Sequence, residues 1–252
     1  MRRAILFRYH KRTDVCLNRI QLLRRFNPGM AIYGIYGGPY SSPPSLPLNH
    51  NYALPFTSAR YKWQNGDLCT AQWFRDVGHR FSFDMLHIIE WDLILLKPVS
   101  ELLRHVTDGI GVTDVITIEQ MRCRNWYWIK TPTRNADLED LRSFVSKKYG
   151  KKFNDQNQLA GGFGGASLSR PFLERFAEVG TFTRPFLNDE IRMTLLAQTF
   201  GMNVHDAGLH KNNPYWDCYK RRVPYSLLKT GDTKCPVLHH VRGKIDFKVP
   251  PA

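Results

Sequence analysis

The sequence predicts an α/β fold: one Rossmann-type domain with a mostly parallel central sheet and helices on its faces. Three observations lead there. The chain opens on an apolar β-prone run, a helical stripe and a second β-prone run. A longer apolar run, Phe83 to Ile89, follows another helical stripe, and segments of strand and helix period continue beyond it. The 252 residues are 42% hydrophobic, enough for a sizeable single core and typical of a folded chain.

The elements follow in order. Ala4 to Tyr9 reads as a strand, and after Asp14, a suitable N-cap, Val15, Ile20, Leu22, Leu23 and Phe26 form a helical stripe. Asn27-Pro28-Gly29 stops that helix, and Met30 to Tyr36 is a second strand running in parallel. Ser41 to Pro47, with three prolines, is a loop. Asp67 to Val77 carries Leu68, Ala71, Trp73 and Phe74 at helical spacing, and Gly78 closes it. Phe83 to Ile89 is the central strand, Pro98 to Val106 a short helix, and Gly109 to Thr117 another strand. Residues 119–136 have no clear period; Asp137 to Tyr149 is helical. Leu159 to Leu168 is a glycine-rich strand packed closely against a neighbour or approached by a ligand. Arg170 to Val179 and Asn188 to Phe200 are helices, the second capped by Asn188, and Met202 to His205 is a last short strand before an irregular basic tail. There is no internal repeat. The expected organisation is a single domain over 1–252, with one half at 1–118 and a second half and tail at 119–252.

The net charge of +14 sits at the two ends. Residues 1–30 hold eight Lys/Arg against one acid, residues 209–252 hold nine against three, and the stretch between is nearly balanced. Such ends suit nucleic acid, an anionic membrane surface, a phosphate-bearing substrate or plain solubility. No helix-turn-helix, zinc-finger or RNP-like signature accompanies the charge, so no nucleic acid is expected. The five cysteines are scattered without a C-x-x-C, which disfavours zinc or redox motifs and fits buried thiols in a reducing compartment. No apolar stretch has the length of a membrane span or signal peptide, and a cytoplasmic location, peripheral to a membrane or free of it, is expected.

The chemistry concentrates at Glu90-Trp91-Asp92, at the carboxyl end of the central strand, where open α/β sheets bind ligands. If the backbone stays extended, the i, i+2 spacing puts both carboxylates on one side. Hard oxygen ligands there suit Mn²⁺ or Mg²⁺, whose shell substrate phosphates complete. Leu93 to Leu96 is apolar again, so the acids interrupt a buried stretch and need partners.

From Phe83 through Glu90-Trp91-Asp92 to Lys97-Pro98 and Leu103, the layout resembles the GT-A glycosyltransferases: an apolar strand closed by D-x-D, an apolar run, a proline and a short helix. Glu90 departs from the first Asp of that motif, which leaves Asp92 as the better metal ligand and Glu90 as a helper. Trp91 belongs to the same nucleotide-diphosphate turn. The resemblance implies a metal-dependent transferase that moves a sugar from a nucleoside-diphosphate donor to an acceptor hydroxyl, on a glycan, a lipid-linked acceptor or another. Ala160-Gly161-Gly162-Phe163-Gly164-Gly165-Ala166-Ser167 resembles the acceptor-side strand, implying contacts at Gly162 and Gly164. Asn188-Asp189-Glu190-Ile191-Arg192 resembles the acidic helix start whose carboxylate is the base in inverting members, implying Asp189 first and Glu190 second. Val237-Leu238-His239-His240-Val241-Arg242-Gly243-Lys244 resembles the C-terminal segment in which a His completes metal coordination and a Lys contacts the diphosphate; either His239 or His240 fills the first role and Lys244 the second.

The usual acid at the end of the second strand is missing from Tyr33-Gly34-Ile35-Tyr36, so the base of the nucleotide is not specified. Tyr9 either stacks on that base or belongs to the core. With the GT-A layout, Arg8, Lys11, Arg12 and Arg242 border the diphosphate, and the other basic residues face an anionic membrane or a phosphorylated acceptor. Trp128, with Trp126 and Tyr127, stacks on an acceptor sugar or packs internally. Competing readings are a nucleotidyltransferase of similar fold, weakened by the absence of glycine in Arg8-Tyr9-His10-Lys11-Arg12, a non-catalytic basic nucleic-acid binder, and a hydrolase with paired carboxylates.

Overall fold

The computed structural model of the protein describes residues 1–10, 13–39, 42–56, 58–179, 187–211 and 236–244. Strand β1 (Arg3–Tyr9), helix α1 (Thr13–Phe26) and strand β2 (Ala31–Tyr36) form the expected opening, with β1 and β2 parallel from Ala4 opposite Ala31 to Tyr9 opposite Tyr36. Asp14 lies inside the first turn of α1, where a carboxylate favours the helix dipole without capping it. The chain continues through β3 (His50–Ala53), α2 (Ala59–Gln64), α3 (Gly66–Asp76), β4 (Met85–Glu90), β5 (Ile94–Leu95) and α4 (Val99–Leu102). Then come β6 (Ile110–Thr117), α5 (Ile118–Cys123), α6 (Pro132–Tyr149), β7 (Leu159–Ser169), α7 (Arg170–Glu178), α8 (Asp189–Thr199), β8 (Val204–Asp206) and β9 (Val237–Leu238).

Among the described residues seven strands form one sheet in the order β3-β2-β1-β4-β7-β6-β8, with β4 in the middle. Within it only β7 runs antiparallel to its neighbours, so the sheet is mostly parallel, as expected. A separate two-stranded ribbon joins β5 to β9.

Alternation along the central strands sorts side chains into two apolar layers. Ala4, Leu6, Tyr33, Ile35, Leu86 and Ile88 face the layer filled by α3, α7 and α8 through Trp73, Phe172 and Leu196. Ile5, Phe7, Ile32, Tyr36 and Ile89 face the opposite layer, with Val15 and Ile20 of α1 and Leu95 of β5. A sheet covered on both faces explains why the strands read as near-continuous apolar runs.

The structure differs from the sequence reading at several elements. Strand β3, helix α2 and the β5–β9 ribbon were not anticipated, β9 falling in the tail read as irregular. The helix expected over Pro98 to Val106 is confined to Val99–Leu102. The aperiodic stretch 119–136 contains α5, started by a reciprocal capping box in which the Thr117 hydroxyl accepts from the Gln120 N–H and the Gln120 side chain accepts from the Thr117 N–H. Helix α6 begins at Pro132, well before Asp137, because proline is well suited to the first helical turn and the Thr131 hydroxyl caps it. Asn188 occupies the N-cap position of α8, but its side chain makes no capping bond. Cys16 and Cys69 are buried, their thiols pushed up to about 12 by burial, and Cys123 is exposed; Cys218 and Cys235 lie outside the described residues. Among the described residues, no helix is long and apolar enough to cross a membrane.

Candidate functional site

After β1 the chain winds outward to β2 and β3, then returns to place β4 on the other side of β1. The carboxyl ends of β1 and β4 therefore flank a switch point, where open α/β sheets form their ligand crevice. Arg8 of β1 lies opposite Glu90 of β4, and two clusters of charge gather there.

The first cluster is built on Asp92. Strand β4 ends at Glu90, and the backbone turns at once, with the Leu93 N–H donating to Glu90 O at 3.0 Å. The extended geometry that would have put Glu90 and Asp92 on one side is therefore not kept, and the two carboxylates take different partners. The β5–β9 ribbon carries the chain after Leu238 back to Asp92, where the Val241 N–H donates to Asp92 O at 3.0 Å. Ligand atoms of Asp92, His239 and His240 lie within 4.8 Å of one another, and His240 Nδ1 is 3.4 Å from Asp92 Oδ2. The two imidazoles stack with centroids 3.8 Å apart. His240 has φ +63°, a left-handed conformation that a non-glycine residue adopts only where its surroundings impose it.

Asp92 is 8% exposed, and its Oδ1 is buried with no hydrogen-bond partner among the described residues. Burial works against its ionisation, but the His240 and His239 rings outweigh burial and hold the carboxyl below the usual carboxylate range. From the α1 side, the buried Arg19 guanidinium clamps the His segment by donating to Val241 O at 3.1 Å and to Gly243 O. Burial brings Arg19 down to about 10. Lys244 Nζ lies 3.3 Å from Asp14 at the start of α1. The basic beginning of the chain and its C-terminal His segment thus meet beside Asp92.

The second cluster lies toward α3 and α8. Arg8 Nη1 donates to Glu90 Oε1 at 2.9 Å, and its guanidinium stands 5.0 Å from the Phe163 ring centre. Burial raises the Glu90 pKa, with Asp92 adding to the shift and Arg8 opposing it. Asp189, 7% exposed in the first turn of α8, accepts from the Gly66 N–H at 3.1 Å and the Glu190 N–H at 3.1 Å. Burial, then the carboxylates of Asp67 and Glu190, push Asp189 well above the usual range. Burial also raises Glu190, which accepts from Trp126 Nε1 at 3.0 Å. Beneath them Asp67 and Arg192 form an ion pair at 0% side-chain exposure, with Arg192 also donating to Asn65 Oδ1 at 3.0 Å. A Cβ at Gly66 would collide with the Arg8 guanidinium, so this close approach needs glycine.

The remaining sequence-selected residues are dispersed. Tyr9 is 3% exposed, its ring among Phe7 and Tyr36 and its hydroxyl donating to Asn51 at 2.9 Å; burial pushes its pKa up to about 12. Trp91 is buried in the layer beside α1, edge-on to His10. Gly164 is held by Thr113, whose hydroxyl donates to Gly164 O at 2.8 Å, and Gly162 is half-buried with Thr113 as its nearest neighbour. Trp128 is half-buried against Trp63 and Tyr127. Arg12 and Lys11 lie outside the described residues.

The sequence alone did not single out Asp67, Gly66, Arg192, Arg19 or Trp63. Asp67 and Arg192 are 125 residues apart, and no local spacing announces such a pair.

No family model matches the chain, and no curated protein matches it. Among solved structures it is similar to the one titled "WbbM bifunctional glycosytransferase apo structure", at 11% identity and a TM-score of 0.48, over 97% of this chain and 46% of that one. The chain thus spans about half the length of that protein.

Proposed function

We propose that the protein is a GT-A-type glycosyltransferase, moving a sugar from a nucleoside-diphosphate donor to an acceptor hydroxyl, with a divalent cation at Asp92. The observation that carries this reading is the convergence of Asp92, His239 and His240 at the carboxyl end of the central strand, with Asp92 Oδ1 buried and without a partner among the described residues. A buried carboxylate oxygen without a donor costs free energy that a cation would offset. Asp92 would hold the ion, joined by His240, His239 or both. Two imidazoles in the donor set favour a first-row transition ion such as Mn²⁺ over Mg²⁺, which prefers all-oxygen shells. Bound there, the cation supplies Lewis-acid neutralisation of the departing diphosphate.

The chain's own residues do the rest. Arg19 fixes the His segment through two backbone carbonyls, so the ligands are oriented before any donor arrives. Lys244, half-exposed beside Asp14, is available to exchange that exposed pairing for a phosphate oxygen. Glu90 neutralises Arg8 and orients its guanidinium in the crevice. Asp189 is the proposed base: a carboxylate with a raised pKa takes the proton of an attacking hydroxyl more readily than an ordinary one. An inverting displacement follows from that role, and Glu190, tied to Trp126, is the alternative base.

The test is a thermal-shift panel of nucleoside diphosphates with and without Mn²⁺, run on the native protein and on Asp92→Ala. The expected result is Mn²⁺-dependent stabilisation by at least one nucleotide, lost in the variant. No response in the native protein, or an identical response in the variant, overturns the reading.

A further inference from the structure

Trp63 of α2 is 66% exposed and Tyr127 is 55% exposed, an unusual display for residues of that size. They belong to one aromatic row, with Trp63 and Trp128 ring centres 5.6 Å apart and those of Trp128 and Tyr127 5.0 Å apart. Cations are interleaved with it. The Arg134 guanidinium lies 3.7 Å from the Tyr127 ring centre and 5.0 Å from that of Trp128, and Lys130 Nζ is 5.8 Å from the Tyr127 ring centre. Arg60, three residues before Trp63 on the same helix, is close enough to act with Lys130 and, foremost, Arg134 in lowering the Tyr127 pKa. Among the described residues no carboxylate pairs with Arg60, Lys130 or Arg134. The face is therefore both apolar and uncompensated in charge.

Its position is fixed at both ends to the acids of α8. Helix α2 runs through Asn65 into Gly66, whose N–H holds Asp189. Trp126, two residues before Trp128, holds Glu190 through its indole N–H. The row is thus tied through the backbone to the two residues that hold the carboxylates, Gly66 at the Trp63 side and Trp126 at the Trp128 side.

We infer that this face binds an acidic oligosaccharide as acceptor, a sugar ring stacked on Trp63 and its anionic groups on Arg60, Lys130 and Arg134, the last seated on the Tyr127 ring. The inference rests on the transferase reading and names its acceptor class. Sugar rings present C–H faces that match the negative face of an aromatic ring, and anionic substituents answer cations that lack carboxylate partners. A hydroxyl on the terminal sugar would then lie toward Asp189 and Glu190.

Isothermal titration of the full chain with four probes tests it: a uronic-acid oligosaccharide, a neutral oligosaccharide of equal length, a single-stranded oligonucleotide, and vesicles of anionic phospholipid. The uronic-acid probe is expected to bind best, with Kd raised about tenfold or more by Trp63→Ala and by Arg134→Gln, as for other aromatic and Arg anchors. Trp63 is exposed and Arg134 is half-buried on the aromatic row, both away from Asp92 in the chain, and the Mn²⁺-dependent nucleotide response of both variants is expected to be unchanged. Undiminished binding in Trp63→Ala, or a preference for the oligonucleotide or the vesicles, overturns the inference. If nucleotides bind and no acidic oligosaccharide does, this inference falls and the transferase reading stands. If the acidic oligosaccharide binds through Trp63 and no nucleotide does, the binding face stands and the transferase reading falls.

Discussion

The Asp67–Arg192 pair and the Asp92–His240 pair each join residues far apart in the chain, yet they are finished differently. Arg192 is wholly buried and meets Asp67 through two nitrogens, Asn65 through a third contact and Leu187 O at 3.2 Å. Asp67 in turn accepts from the Leu68 N–H at 2.8 Å. Asp92 is nearly as deep, but one of its oxygens has no donor among the described residues, and the rings facing it remain half-exposed. A saturated pair locks α3 to α8; an unsaturated one at the mouth of the crevice keeps hydrogen-bonding capacity unspent. Ionisable groups at one sheet edge can thus be sorted by whether their hydrogen-bonding capacity is already spent.

The largest expected effect comes from opening the closed pair. Arg192→Leu leaves Asp67 buried without its cation and is expected to cost about 3–5 kcal/mol in denaturant unfolding. A cost near zero would mean that Asp67 finds water or another donor, and that the pair is not the lock described. Asp92→Ala is the converse: it removes an unsatisfied group and should change unfolding free energy by less than about 1 kcal/mol. Saturating Mn²⁺ separates the two further. At about a hundredfold over its Kd the ion would stabilise the native protein by about 2.7 kcal/mol and Asp92→Ala not at all. An equal gain in both proteins would place the ion elsewhere.

How much of this contrast was legible in the sequence depends on how local each cause is. The central strand could be read because Met85 to Ile89 is buried on both faces and therefore apolar throughout. The Thr117-x-x-Gln120 capping box was readable in principle, since both partners lie within one turn. Asp92 was selected for its place after an apolar strand, and its neighbours His239 and His240 only through the resemblance, since the β5–β9 pairing that brings them there has no local signature. Arg192 lay in the quoted Asn188–Arg192 segment, but nothing there distinguished a solvent-facing base from one that meets Asp67. The same-side placement of Glu90 and Asp92 failed for a related reason: an i, i+2 spacing implies one face only while the strand lasts, and the strand ends at Glu90.

Two histidines repeat the contrast at smaller scale. His240 is half-exposed beside Asp92, whereas His87 is fully buried with Nδ1 against Ser167 Oγ at 2.8 Å and Nε2 against Arg3 at 3.0 Å. Burial, then the Arg3 charge, lowers the His87 pKa to about 3. The unfolded imidazole titrates at about 6.5, so below that pH the unfolded chain binds a proton that the folded one refuses. The stability that His87 contributes is therefore present above about pH 6.5 and is lost as pH falls toward 3, by up to about 1.4 kcal/mol per unit. Buried Asp189 and Glu190, whose folded pKa values are raised, act in the opposite sense in both proteins compared. Unfolding free energies at pH 7, 6 and 5 should fall less steeply for His87→Gln than for the native chain. Parallel slopes would show that the native fold admits the protonated ring.

The smallest effect lies within the glycine-rich strand, where closure and openness alternate over two residues. A Cβ at Gly161 would meet Val112 Cγ2 at 2.4 Å and Val112 Cβ at 3.1 Å, and Val112 is a fully buried side chain that cannot retreat. At Gly162 the nearest atom is Thr113 O at 3.3 Å, a contact that a few tenths of an ångström would relieve. Gly161→Ala is thus expected to destabilise by at least about 1 kcal/mol through overpacking, and Gly162→Ala by less. Packing accounts for the first glycine and leaves the second without a structural requirement of comparable strength. If Gly162 is small so that an acceptor sugar can approach, Gly162→Ala should raise the acceptor KM while the unfolding midpoint stays near that of the native chain. An unchanged KM would make the whole strand a packing device and confine the acceptor to the aromatic face beside α8.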